Sequence, residues 1–137
     1  MGADFTKAHL GGADFTNSKI SSAQFELADL AESNLQMTEA VLIRAKGAVL
    51  RKMKAYGSSM IGADFSGADM REAMLHGTDL SGANLSSADL REASLIETVL
   101  IAADLTNADL RGALRRGVDT KRARLNGAKT DQNSEKV

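Results

Sequence analysis

The side chains that could do chemistry are few and widely spaced. Histidine occurs twice, at His9 and His76. An imidazole acts as general base or metal ligand only when further polar groups converge on it. Cysteine is absent, which excludes thiolate nucleophiles, disulfides and cysteine-based zinc sites. The tetrapeptide Gly-Ala-Asp-Phe recurs at residues 2–5, 12–15 and 62–65, yet no Gly-x-x-x-x-Gly-Lys-Ser/Thr phosphate loop is present. The charged residues are more regular. Arg51, Arg71, Arg91 and Arg111 recur at intervals of 20, as do Asp69, Asp89 and Asp109, and Glu72 and Glu92. Spacing of that kind builds ladders along a surface, not an enclosed acid and base. The expectation is a chain with no catalytic residue, no cofactor and no metal ligand, and so not an enzyme.

The element that positions these residues is set by a period of five. Large apolar residues stand at Phe5, Leu10, Phe15, Ile20, Phe25, Leu30 and Leu35. The series resumes at Leu50 and runs from Met60 through Leu110, closing at Leu125. Two residues before each stands a small one, such as Ala23, Ala63 or Ala83. Glycines also keep one phase, two residues after the large position, with Gly11 the exception. Glycine tolerates positive φ, so a fixed glycine phase marks a fixed corner.

A period of five suits neither ordinary element. On an α-helix it drifts around the axis. On a flat strand an odd period sends successive large residues to opposite faces. The pattern works if the chain turns once per unit, with the large and small residues inward and the other three outward. The surface intervals of 20 then predict four units per coil. Stacked coils rise about 4.8 Å each, and about six and a half of them make a rod roughly 30 Å long. On this reading His9 and His76 both face outward, on different faces.

The units Ala3-Asp4-Phe5, Ala28-Asp29-Leu30, Ala83-Asn84-Leu85, Ala88-Asp89-Leu90, Ala103-Asp104-Leu105 and Ala108-Asp109-Leu110 resemble the A(D/N)LXX pattern of the pentapeptide-repeat family. The resemblance covers about residues 3–130. It implies an all-β fold, a right-handed quadrilateral parallel β-helix; the handedness comes from the resemblance alone. Some members of that family bind DNA gyrase, imitate duplex DNA and protect the enzyme from quinolones. This chain departs from that group in its net charge of −1, from 17 Lys and Arg against 18 Asp and Glu, and in its basic C-terminal units.

One domain, residues 1–130, is expected, followed by a disordered polar tail over 131–137. Within residues 38–57 the chemistry changes but the phase holds. Ala40, Ala45 and Ala55 occupy large positions, while Ile43 and Met53 occupy small ones. A variant coil with exchanged volumes conserves core filling; a loop over residues 36–47 is the alternative. Arg115 at a core position predicts a distortion over 113–120.

Two surface features could meet a partner. The Arg51, Arg71, Arg91 and Arg111 ladder either neutralises its flanking carboxylates or forms a binding strip. Met37, Val41, Leu42, Tyr56, Ile61, Met74, Ile96, Val99 and Ile101 lie outward on two adjoining faces. A contiguous apolar strip fits an interface, with Tyr56 as its aromatic anchor; ordinary β-propensity is the alternative. Charge is segmented: residues 55–110 hold nine acids and two arginines, and residues 111–124 six bases and only Asp119. Without stacking aromatics the basic segments point to no nucleic-acid partner. No apolar run reaches the roughly 18 residues of a membrane helix, and no signal-peptide pattern opens the chain. The expectation is a cytoplasmic structural or protein-interaction module. Its partner is another protein or itself, with end-to-end or face-to-face contact. A gyrase-binding DNA mimic is the alternative.

Overall fold

The computed structural model describes residues 2–131. Its backbone is organised by two steps, one of five residues and one of 20. Parallel bridges run from Asp4 with Gln24 to Asp109 with Lys129, and each joins residues 20 apart. Between bridges the chain turns every five residues. Ala8 N–H donates to the Phe5 carbonyl at 2.9 Å, and the same closure recurs in most units up to Ala128, Thr38 and Ile43 being the exceptions. The third residue of the turn has positive φ, from 54° at Met37 to 75° at Gly112. Positive φ at that place, closed by this bond, is the mark of a type II turn. Fifteen of these corner residues are not glycine. Each such residue accepts a left-handed conformation that costs on the order of 1 kcal/mol, which stacking of the coils must offset.

The backbone hydrogen bonds explain the residue pattern. Phe5 N–H donates to Gln24 O at 2.7 Å, Gln24 N–H returns to Ala3 O at 2.8 Å, and Lys7 N–H reaches Glu26 O at 2.9 Å. With the turn bond, four of the five N–H groups in a unit are satisfied by backbone. The fifth follows the large residue, and the side chain two positions before it serves as acceptor. Thr6 N–H donates to Asp4 Oδ1 at 2.9 Å, Gln36 N–H to Asn34 Oδ1 at 3.0 Å, and Ser66 N–H to Asp64 Oδ1 at 2.9 Å. An Asp or Asn side chain readily bonds the backbone two residues on, and this is why the polar place between the small and large residues favours those two types.

The core is the axis of the rod. Phe25, Leu30, Phe65, Leu75, Leu85 and Leu105 are fully buried, as are the small residues Ala28, Ala63 and Ala88. Burying each large side chain contributes about 1.5–3 kcal/mol. Buried threonine hydroxyls find carbonyls: Thr38 Oγ1 donates to Phe15 O at 2.8 Å, Thr78 Oγ1 to Ala55 O at 2.6 Å and Thr98 Oγ1 to Leu75 O at 2.7 Å, whereas the buried Ser33 Oγ has no partner. At the N-terminal end Phe5, Leu10, Phe15 and Ile20 are only partly buried. Phe5 stacks on Phe25 with centroids 5.1 Å apart, and Phe15 meets both edge-on.

Residues 38–57 carry the same bridges as their neighbours. Arg44 pairs with Gln24 and Asp64, and Lys54 with Asn34 and Met74. Ile43 and Met53 are inside together with Ala40, Ala45 and Ala55. Near Arg115 the Val118 N–H to Arg115 O bond lengthens to 3.4 Å, while the bridge of Val99 with Asp119 persists. Of the polar tail expected over 131–137, Asp131 accepts a hydrogen bond from Gly112 N–H; residues 132–137 lie outside the described residues.

Candidate interaction surface

The 20-residue step stacks outward side chains into files, so the surface follows from residue number. The charged ladder occupies one corner file and its neighbours. Arg71 forks onto Asp69, with Nε to Oδ1 and Nη2 to Oδ2 both at 2.8 Å. Arg91 forks onto Asp89 at 2.9 and 2.7 Å, and Arg111 onto Asp109 at 2.9 and 2.6 Å. Two of the three also see the next coil's carboxylate: Arg71 Nε lies 3.8 Å from Asp89, and Arg91 Nε 3.8 Å from Asp109. Hydrogen bonds from the arginines hold the carboxyls of Asp69, Asp89 and Asp109 below the usual aspartate value. Hydrogen bonds to the aspartates raise the arginines in turn. Arg51 shares the file but follows Val49, so this two-point fork is not open to it. At residues 71, 91 and 111 the fork occupies donors that an acidic partner would need.

The predicted apolar residues fall into neighbouring files. Met37, Tyr56 and Ile96 share one corner with His76. Val41, Leu42, Ile61 and Ile101 share the next corner, and Val99 lies on the segment between, in the file of Glu39, Ser59 and Asp79. Met74 sits one file away and accepts a hydrogen bond from Tyr56 Oη at 2.8 Å. Met37 is 63% exposed, Leu42 57% and Ile61 41%. Val41, Tyr56, Met74, Ile96, Val99 and Ile101 are half-buried. Tyr56 meets His76 edge-on at 6.3 Å, and His76 Nε2 lies 3.7 Å from Glu97.

The strip is built with help from glycine. A Cβ at Gly57 would stand 2.8 Å from Met37 Sδ, and one at Gly62 2.7 Å from Leu42 Cδ2. Exposed corner side chains therefore fold along the rod onto a bare backbone one coil later. Leu27 does the same at another corner, where a Cβ at Gly47 would stand 2.9 Å from it. Leu27 and Leu114 are 60% and 58% exposed and were not among the predicted surface residues. Both occupy outward phases of the five-residue unit, so the same rule applied around the whole rod finds them.

Among the described residues no group of three or more His, Cys, Asp or Glu is placed to hold a metal ion. A shallow groove lined by Lys46, Ser66, Gly67, Asn84, Ser86 and Ser87 lies where the corner glycine leaves space. Its Ser66 and Ser86 hydroxyls already donate to Asp64 and Asn84, at 2.6 and 2.7 Å. No helix among the described residues is long and apolar enough to cross a membrane.

Comparison with known proteins decides the family. The model of pentapeptide repeats matches residues 1–36, 54–86 and 78–114. This chain belongs to the pentapeptide-repeat family. The matches leave out residues 37–53, where inward volumes are exchanged, and stop one residue before Arg115. Rfr23, a pentapeptide-repeat protein from the cyanobacterium Cyanothece 51142, is 36% identical with a TM-score of 0.64. The match spans 66% of this chain and 61% of that one, less than two thirds of the Rfr23 chain. A trypsin-treated QnrB1, a plasmid-mediated fluoroquinolone resistance protein, is 23% identical with a TM-score of 0.68, over 94% of this chain and 78% of that one. No match is found among curated proteins. Pentapeptide-repeat proteins form right-handed β-helices and are generally structural or interaction modules rather than enzymes.

Proposed function

We propose that this chain is a non-catalytic interaction rod, a quadrilateral β-helix of about six and a half coils that binds another protein, or a second copy of itself, in the cytoplasm. The observation that carries this reading is the apolar strip. Two adjacent corners present Met37, Tyr56, Ile96, Val41, Leu42, Ile61 and Ile101, with Met37 and Leu42 more than half exposed. Exposed apolar groups grouped along one side of a rod fit an interface better than scattered ones do. The arginine ladder, forked onto its own aspartates, serves the rod and not the partner. Charged replacements at Leu42 and Ile61 test the reading. They should abolish self-association in sedimentation, or capture of a cellular protein by the immobilised chain, and leave the melting temperature nearly unchanged. Association that survives both replacements contradicts the assignment of this strip.

A second reading is a DNA mimic acting on a type II topoisomerase. It is favoured by the acidic stretch over residues 55–110 and by likeness of fold to QnrB1. A gyrase supercoiling assay, with and without a quinolone, tests it. Inhibition or protection by micromolar chain supports the mimic, and no effect at that concentration removes it.

A further inference from the structure

The apolar strip has a saddle at its middle. Residues 56–62, 76–82 and 96–102 are three successive passes of the chain through the same two corners and the segment between them. Tyr56 and Ile61 stand on the first pass, and Ile96, Val99 and Ile101 on the third. On the pass between them the corners end in Gly77 and Gly82, and a Cβ at Gly82 would meet nothing within 4 Å. One coil earlier the corner glycines are covered, Gly57 by Met37 and Gly62 by Leu42. The first and third passes are two coil steps, about 10 Å, apart, which leaves room for one extended chain laid across the rod between the two apolar rims.

Asp79 lies at the centre of the saddle, half-buried and bridged to Ser59 and Val99. Its Oδ1 accepts Ser81 N–H at 3.0 Å and the Ser81 hydroxyl at 2.6 Å. Its other oxygen takes no part in that turn. None of the three passes contains a Lys or Arg, and among the described residues Asp79 enters no ion pair. His76, on the same pass, has Glu97 at 3.7 Å. The aspartates of other segments are better served: Asp69, Asp89 and Asp109 are each forked by an arginine, and Asp64 has Arg44 bridged to it. A wholly apolar partner seated on the strip would bury the Asp79 carboxylate unpaired, which is strongly unfavourable. A partner that brings a guanidinium or ammonium group to it forms a charge-assisted bond inside a ring of apolar side chains that excludes water.

We propose that this saddle sets the specificity of the strip, and that it takes an extended segment of another protein carrying one Arg or Lys between apolar residues. The inference rests on the strip being an interface and adds the chemistry of its partner. In an extended chain the residues two before and two after the base face the same way as it does. With the base on Asp79 they lie over Gly77 and Gly82, against the rims. The recognised pattern is therefore apolar-x-Arg/Lys-x-apolar.

Selection of phage-displayed random peptides on the immobilised full chain tests this. The wild type should enrich peptides with that pattern. Asp79→Asn should weaken their binding by about tenfold or more in fluorescence anisotropy. Norleucine in place of the peptide's base should remove the difference between the two proteins. Asparagine keeps the turn acceptor, as Asn34 and Asn84 do, so the coil itself is undisturbed. Asp64→Asn, the same exchange on the next segment, should leave binding unchanged. Enriched peptides that lack the base, and whose binding is lost on Ile61→Lys, would leave the strip standing as an interface and overturn the role of Asp79. Equal binding of the basic peptides by wild type and Asp79→Asn would overturn it as well. No enrichment on the wild type would overturn the saddle as a binding site, while sedimentation of the Leu42 and Ile61 replacements still decides the strip on its own.

Discussion

Residues 38–57 and residues 58–77 trace the same coil with different chemistry. The second follows the family pattern: Ala63, Ala68 and Ala73 at small positions, and Met60, Phe65, Met70 and Leu75 at large ones. The first inverts it at Ile43 with Ala45, and at Met53 with Ala55. All of these residues are buried, and the bridges pass through both coils without a change of step. The rod therefore requires that two inward places per unit be filled together, not that a given one hold the large side chain. The coils differ in their turn acceptors as well. Asp64 serves Ser66 N–H, and Asp69 serves Arg71 N–H at 3.3 Å. In the first coil Glu39, Arg44, Val49 and Lys54 stand at those places, and Val41 N–H turns instead to Ser21 Oγ, one coil earlier, at 3.1 Å.

The largest effect expected in the regular coil is at its aromatic. Phe65→Ala should destabilise by about 3–5 kcal/mol, because a filled axis cannot collapse around the cavity. Urea denaturation measures it, and a loss below about 1 kcal/mol would mean that the core is not close-packed there. Next come the corners. Gly62→Ala combines a positive φ with a Cβ placed 2.7 Å from Leu42 Cδ2, whereas Gly67→Ala meets nothing within 4 Å. Both should cost about 1 kcal/mol from φ, because Leu42 Cδ2 is the far end of an exposed side chain and can swing aside from a new methyl. A markedly larger cost at Gly62 would show that Leu42 is held against that backbone.

Turn acceptors give a smaller effect. From the five-residue phase alone Asp64→Ala is expected to be within about 0.5 kcal/mol of neutral, as an outward substitution. Its two bonds from Ser66, at 2.9 and 2.6 Å, revise that to about 1 kcal/mol. Arg44→Ala, at the same place one coil earlier, loses only an exposed ion pair with Glu26 at 3.1 Å and should be near neutral in the same denaturation. The smallest effect is in acid. Asp69, Asp89 and Asp109 have lowered pKa values, so their stabilisation is fully present above the ordinary aspartate value of 3.8 and fades as pH falls below it. Asp89→Asn should therefore show a shallower drop in melting temperature on acidification than the wild type, and an unchanged drop would place the ladder outside the stability of the rod.

Much of this was legible in the sequence because the two steps are arithmetic. Large and small positions repeat by five, and Asp69, Asp89 and Asp109 repeat by 20, so inward phase and register both follow. The corner phase was legible from glycine, yet the fifteen other residues that share its positive φ were not, because stacking of coils overrides their local preference. Nor did the sequence show the direction of side chains. That Met37 lies over Gly57, or that Arg71 turns back to Asp69, depends on rotamers that spacing leaves open. The apolar strip was found only on the two faces where its residues cluster, so Leu27 and Leu114 escaped notice. Arg115 stood out as a break in pattern, but the burial of its terminal nitrogens without a partner is a property of packing alone.

The unbroken coil through residues 38–57 is tested most directly by two adjacent side chains of equal composition. Leu42 is 57% exposed at a corner, and Ile43 is 2% exposed on the axis. Urea denaturation of Leu42→Ala and Ile43→Ala should give a loss of about 2–5 kcal/mol for Ile43 and under about 1 kcal/mol for Leu42. Similar small losses for both would contradict the coil, because a loop over residues 36–47 would leave Ile43 as free of the core as its neighbour.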